Sequence, residues 1–185
     1  MLSFLKRKPD PARERAAAAY DAIVEAARRP WFYAEAEAPD TVEGRFDMIV
    51  LHAFLYFRRL RADGDAAQED AQRVFDAMFR DLDASLREIG VGDLSVGKKI
   101  RGLAEAFYGR SKAYDEALDA SDADALAQAI ARNVHKAESH AGADAIAGYV
   151  FAADAALIER SLDDLVQGRI AYPDPAMAAQ KEVAQ

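Results

Sequence analysis

Apolar residues recur every three or four positions through most of the chain, which is the period of an amphipathic helix. No segment shows the sustained alternation of apolar and polar residues that marks a half-buried strand. We therefore predict an all-α fold, a single domain of about six helices. The predicted helices cover about 11–29, 42–61, 67–89, 95–118, 122–135 and 143–166.

The segment at about 42–61 is apolar on most of its sides, with Phe46, Val50, Phe54 and Phe57 on its main stripe. Because a helix that is apolar nearly all round is buried nearly all round, this segment is predicted to be the centre of the domain. The domain is predicted to span 10–170. Residues 1–9 are predicted to be a flexible basic and apolar N-terminus, and 171–185, with Pro173 and Pro175, a partly disordered tail.

Composition narrows the possible functions. The chain has 185 residues, no cysteine and a net charge of −8. The absence of cysteine excludes disulfides, thiolate metal sites and cysteine nucleophiles. A DNA partner is not expected, because DNA binding needs a large basic surface. The chain has no secretory signal pattern and no apolar stretch of about 20 residues, and it is rich in Ala, Arg and Asp. These features indicate a bacterial protein that is soluble and cytoplasmic.

The stretch GDLSVGKK at 92–99 has the G-x-x-x-x-G-K spacing of a phosphate-binding loop. A phosphate-binding loop follows a strand, whereas here a predicted helix comes before Gly92. Its lysine is followed by Ser or Thr, whereas here Lys98 is followed by Lys99. We interpret the stretch as a turn between helices, with Gly90 and Gly92 ending one helix and Ser95 capping the next.

Candidate catalytic and metal-binding residues are few. His135 and His140 lie five apart, which is not the spacing of neighbours on one helical face, and His52 lies among apolar residues. No carboxylate pair or nucleophile motif stands out. We predict no enzyme activity, no cofactor and no metal. The alternative is a helical ligand-binding domain or enzyme with a buried polar pocket around His52 or His135.

A local basic and aromatic cluster contrasts with the acidic chain. We predict that it binds a partner such as a protein client, lipid headgroups or ribosomal RNA, although an ordinary charged surface is the alternative. Its members are Lys98, Lys99, Arg101, Phe107, Tyr108, Arg110 and Lys112. The N-terminus is a candidate membrane contact, with a frayed terminus as the alternative. The residues concerned are Leu2, Phe4, Leu5, Lys6, Arg7 and Lys8.

Four stretches in this order resemble one known family: RRPWFY at 28–33, PDTVEGRF at 39–46, LHAFLYFRRL at 51–60 and the long segment 81–114 that contains GDLSVGKK and AFYGR. Over about 28–172 the chain is similar to the ubiquinol-cytochrome c chaperone family, the assembly factors of the cytochrome bc1 complex. The resemblance implies a non-enzymatic chaperone that binds newly made cytochrome b. A bacterial member is expected at the cytoplasmic face of the inner membrane.

The resemblance leaves some partners open. Mitochondrial relatives work near the ribosomal exit tunnel with a small partner protein, and whether this chain binds a ribosome or such a partner is not determined by its residues. A client made of apolar helices needs an apolar surface to dock on. We therefore predict an exposed apolar groove beside the segment 98–110. A general membrane-surface adaptor is a further alternative.

Overall fold

The computed structural model describes residues 10–182. All regular secondary structure within that range is helical, which confirms the all-α prediction. The elements are α1 (Pro11–Ala27), α2 (Trp31–Ala34), α3 (Val42–Arg61), α4 (Asp65–Glu88), α5 (Asp93–Asp119), α6 (Ala123–Ile130) with a π-helical extension (Ala131–His135), α7 (Ala141–Ile158), α8 (Leu162–Val166) and α9 (Pro175–Glu182). The helices missing from the prediction, α2, α8 and α9, are too short to show a helical period.

Helix α3 lies at the centre of the fold, and its predicted bounds are confirmed. The side chain of Thr41 caps it by accepting a hydrogen bond from the amide of Gly44 at 3.1 Å. All residues from 47 to 56 are buried, because α1, α4, α5, α7 and the π-helical segment surround this helix. Helix α3 is therefore the element on which these surrounding helices pack.

Helices α4 and α5 form a long hairpin. Helix α4 is followed by Gly90 at φ +88°, the left-handed conformation that favours glycine just past a helix end. Helix α5 begins after Gly92, so the prediction that Ser95 caps it is wrong, and Ser95 lies in its first turn. Lys98 and Lys99 are consequently in the second turn, away from the unfavourable N-terminal end of the helix dipole.

The predicted helix at 143–166 is two helices. Helix α7 ends at Ile158, and Ser161 begins α8 by accepting a hydrogen bond from the amide of Asp164 at 3.1 Å. By length and composition alone, α7 could cross a membrane. The sequence analysis had found no segment with that property. Half of α7 is nevertheless buried inside this protein, as is typical of a core helix.

The chain after α8 packs back onto the core. Tyr172 is buried and its hydroxyl donates to the backbone oxygen of His52. The guanidinium of Arg29 donates to the backbone oxygens of Tyr172 and Pro173, and α9 buries Ala178. Within the region predicted to be a partly disordered tail, residues 175–182 form α9, and Tyr172 and Ala178 are buried against the core. The predicted flexible N-terminus, 1–9, and its membrane-contact residues lie outside the described residues.

Candidate functional site

The outer half of the α4–α5 hairpin takes little part in the core. Between Phe79 and Ala106 the only buried residue is Val96, which lies outside the main core cluster. The hydrophobic residues of this half are therefore available on its sides, where two grooves run along α5.

The first, which we call the aromatic groove, lies between α3, α4 and α5 and encloses about 470 Å³. Phe57, Phe75, Phe107 and Tyr108 line it. The ring centroids of Phe57 and Phe107 are 5.9 Å apart and those of Phe75 and Tyr108 are 6.0 Å apart. Phe107 is buried, whereas Tyr108 is 61% exposed. The groove thus presents packed aromatic rings to its opening.

The second, which we call the basic groove, lies on the other side of α5 and encloses about 400 Å³. Its lining combines an apolar wall with three cationic side chains, those of Lys99, Arg110 and Lys136, and two carboxylates, those of Glu43 and Asp47. The apolar wall comes from the start of α3, the end of α4 and the middle of α5, through Val42, Phe46, Leu82, Leu86, Ile89, Leu103 and Ala106.

A buried carboxylate fixes two of these cations. Asp47 is only 3% exposed, and its two oxygens lie 2.7 Å from Nη1 of Arg110 and 3.0 Å from Nζ of Lys136. Burial raises the pKa of the Asp47 carboxyl, while the positive charges of Arg110 and Lys136 oppose that rise. The Arg110 guanidinium also lies 5.6 Å from the ring centroid of Phe46. Arg110 therefore joins α5 to α3 inside the groove.

Lys136 and Asp47 were not singled out by the sequence analysis. Lys136 follows the π-helical segment at φ +56°, a conformation that non-glycine residues adopt rarely. This local bend directs its ammonium to Asp47. The one sequence signal for this ion pair was Asp47 itself, an acidic residue inside the most apolar helix. A buried carboxylate needs a charged or hydrogen-bonding partner.

The predicted cluster is divided by α5 rather than gathered at one place. Phe107 and Tyr108 belong to the aromatic groove, and Lys99 and Arg110 to the basic groove. Lys98, Lys99 and Arg101 are exposed and make no ion pair with any residue between 10 and 179. Lys112 is exposed and lies 3.8 Å from Glu116. Two apolar grooves therefore lie beside the segment where one was predicted.

Three glycines of α5, Gly97, Gly102 and Gly109, have no packing reason to be glycine. A Cβ atom added at any of them would meet no atom of the described chain within 4 Å, the helix's own neighbouring backbone aside. At Gly142 the same atom would lie 1.9 Å from the backbone oxygen of Ala36. Glycine inside a helix costs about 0.5–1 kcal/mol relative to alanine. These three glycines therefore lower the stability of α5, and no contact among the described residues requires them.

The histidines do not form a ligand site. Nδ1 of His52 lies 2.8 Å from the oxygen of Met48 and Nε2 lies 2.9 Å from the hydroxyl of Tyr149, so both ring nitrogens have partners. The rings of His135 and His140 stack at 3.9 Å, because the chain reverses between them. Among the described residues there is no group of three His, Asp or Glu that could hold a metal ion.

Comparison with known proteins identifies the family. The family model described as Ubiquinol-cytochrome C chaperone matches residues 34–172, three quarters of the chain. The chain belongs to this family. The resemblance drawn from the four sequence stretches is confirmed. A bacterial crystal structure, that of the Cbp3 homolog from Brucella abortus, is 42% identical and superimposes with a TM-score of 0.81, covering 90% of this chain and 93% of that one.

A curated relative from Xenopus laevis, ubiquinol-cytochrome-c reductase complex assembly factor 1, is 26% identical over 115 residues. The match covers 62% of this chain and 57% of the length of the Xenopus protein. The α4–α5 hairpin lies inside the range that the family model matches.

Proposed function

We propose that this protein is a non-enzymatic chaperone that binds newly made cytochrome b and assists assembly of the cytochrome bc1 complex. We place it at the cytoplasmic face of the bacterial inner membrane, where an apolar client meets water before it is assembled. Family membership supports the chaperone role, and the name of the Xenopus relative supports the complex. The observation that carries the proposal is the pair of apolar grooves along α5, a helix with three glycines that no contact among the described residues requires.

These features suit a helical apolar client. An apolar helix docks by laying one face into a groove, and helices approach each other most closely where small residues remove side chains from the contact. Gly102 and Ala106 belong to the basic groove, on the side of α5 that faces its opening. We assign the basic groove to one client helix and the aromatic groove to a second apolar segment.

The predicted partner-binding residues take different roles in this proposal. Phe107 and Tyr108 contact the client in the aromatic groove, and Lys99 contacts it at the edge of the basic groove. Arg110 is a positioning residue, because its guanidinium is engaged with Asp47 and Phe46. Lys98, Arg101 and Lys112 lie on the outer side of α5, away from both grooves.

Site-specific photo-crosslinking in cells tests the proposal. A crosslinking amino acid is placed at Ser85 or Gly102 in the basic groove, at Gln72 or Tyr108 in the aromatic groove, and at exposed Ala155 on α7 as a control. We expect crosslinks to cytochrome b from both grooves and none from Ala155. Crosslinks to unrelated proteins only, or normal bc1 complex in a strain without the gene, would refute the proposal.

The alternative was a ligand-binding domain or enzyme with a buried polar pocket around His52 or His135, and the part of it that concerns His52 is not favoured. Both nitrogens of that ring are already bonded within the protein, so His52 offers no free atom to a substrate. The two grooves are lined mostly by apolar side chains, and an open apolar groove can dock a helix.

A further inference from the structure

The tip of the α4–α5 hairpin combines exposed apolar side chains with unpaired cations. Ile89 is 60% exposed just before the turn, and Leu94, in the first turn of α5, is fully exposed. Leu94, Lys98 and Arg101 follow one another at spacings of four and three, so they share one face of α5. Lys99 is exposed beside them.

The charge of this tip is opposite to that of the chain. Between positions 87 and 101 there are four basic and two acidic residues, whereas the whole chain has a net charge of −8. One of the two acidic residues, Asp93, is held by Arg87, which also binds Asp83 at 2.6 Å. Lys98, Lys99 and Arg101 have no such partner in the part of the chain that the structure describes. One turn further along the same face Glu105 restores a negative charge, which limits the basic patch to the tip.

We infer that the hairpin tip docks on an anionic lipid surface, with Leu94 and Ile89 entering the interface and Lys98, Lys99 and Arg101 contacting the headgroups. Apolar side chains gain free energy by leaving water at the acyl boundary, and basic residues just behind them gain from the negative surface potential. The long stems of lysine and arginine allow the charges to stay in water while Leu94 is buried. RNA would use the same cations but would gain nothing from an exposed leucine.

This contact overlaps the basic groove only at Ile89 and Lys99, which line that groove. The tip face of α5 carries Leu94, Lys98 and Arg101, and none of the three lines either groove. Stable membrane binding usually takes more than one weak signal, and a short hairpin tip alone is such a weak signal. The tip is therefore expected to orient the chaperone on the membrane, with its grooves beside the lipid surface.

Flotation with vesicles tests the docking directly. The full chain is mixed with vesicles of phosphatidylcholine alone or with phosphatidylglycerol added. We expect flotation only with the anionic vesicles, weakened by salt because the headgroup contact is electrostatic. Each charge reversal, Lys98→Glu or Arg101→Glu, is expected to weaken partitioning by about five-fold or more, since one basic residue near an anionic surface contributes about 1 kcal/mol. Arg132→Glu, at an exposed arginine in the π-helical segment outside the hairpin, is the control and is expected to have no such effect.

A fluorescent label tests the insertion. Because the chain has no cysteine, Leu94→Cys and Ile158→Cys each create a single labelling site, and Ile158 is 59% exposed on α7. An environment-sensitive dye at position 94 is expected to shift to the blue when anionic vesicles are added, and a dye at position 158 is not. Leu94→Asp is expected to reduce flotation, whereas Ile158→Asp is not.

Three results would overturn the inference. The first is flotation that is unchanged by Leu94→Asp and by both charge reversals. The second is an equal spectral shift of the dye at positions 94 and 158. The third is flotation that depends entirely on residues 1–8. Binding to ribosomal RNA that needs the lysines but not Leu94, without any flotation, would assign the patch to RNA instead. Since no client is present in these assays, their outcome is independent of the crosslinking experiment.

Discussion

The hydroxyl of Tyr172 donates a 2.8 Å hydrogen bond to the backbone oxygen of His52, 120 residues earlier in the chain. Both residues are buried, and their rings meet edge to face with centroids 5.1 Å apart. The segment after α8 is thereby attached to the middle of α3, the most buried helix of the protein. This contact holds the start of the segment after residue 170 against the core.

We expect Tyr172→Phe to lower the free energy of unfolding by about 1 kcal/mol, because it removes one buried hydrogen bond while keeping the ring. Tyr172→Ala also leaves a cavity and should cost about 3–5 kcal/mol. Urea denaturation measures both. The control is Tyr108→Phe, at an exposed tyrosine, which should leave stability unchanged. A Tyr172→Ala protein as stable as the parent would contradict the packing of this segment.

A second prediction concerns His52 and pH. Complete burial lowers the pKa of His52 to about 4, although its hydrogen bond with Met48 opposes the shift. The unfolded chain takes up this proton below about pH 6.5 and the folded protein only below about pH 4, so stability should fall as the pH drops through that window. The full loss from this group is about 3 kcal/mol.

The measurement is urea denaturation between pH 4 and 7 for the parent and for His52→Gln. The difference in stability between the two should shrink as the pH falls, because only the parent has to keep His52 neutral. Leu157→Ala, which damages the core without touching a histidine, should stay parallel to the parent. Parallel curves for His52→Gln as well would show that His52 does not titrate with folding.

The long helices of this fold are predictable from sequence, because each buries a continuous stripe. The twenty residues of α3 show such a stripe, and both of its bounds are correct. The cap of α5 is not predictable from residue preference alone. Ser95 is a favourable cap, but the turn at Gly90 and Gly92 places the cap three residues earlier, at Gly92. The packing of Tyr172 on His52 is a contact between distant residues, which no local period records.

A third prediction separates Arg110 from the exposed cations of α5. Arg110→Met leaves the buried carboxylate of Asp47 with Lys136 alone, and we expect a loss of about 3–5 kcal/mol. Adding Asp47→Asn should recover much of that loss, since the uncompensated charge is removed. Lys112→Met, on the same helix but exposed, should change stability by less than about 0.5 kcal/mol. Additive losses in the double variant would refute the coupling of Arg110 to Asp47.

A fourth prediction uses the glycines of α5. Gly102→Ala and Gly109→Ala should each raise the free energy of unfolding by about 0.5–1 kcal/mol, because the added methyl group meets no other residue. The same changes should weaken client capture if a client helix approaches this surface closely. Gly142→Ala should instead destabilise the protein, because its methyl group would collide with the backbone of Ala36. Unchanged capture would remove the glycines from the proposed contact.

Part of the candidate site is visible in the sequence, and part is not. The basic and aromatic residues of α5 stand out by composition, because they interrupt an acidic chain. Their division between two grooves depends on how α5 sits between α3 and α4, which is a property of the packed protein. Lys136 reaches the basic groove only because the chain turns sharply at that residue. Leu94 is exposed because the hairpin extends past the core. The spacing of apolar residues along α5 does not distinguish Leu94 from a leucine that packs on the core.

The small number of fully buried residues in the outer half of the hairpin has a consequence for its motion. Since only Val96 is buried between Phe79 and Ala106, this half can open locally at a smaller free-energy cost than global unfolding. Backbone amides there should exchange with deuterium earlier than those of α3 and α7. A surface that opens and recloses around a fixed base can adjust its width, and in the proposed chaperone role it would accommodate client segments of different thickness.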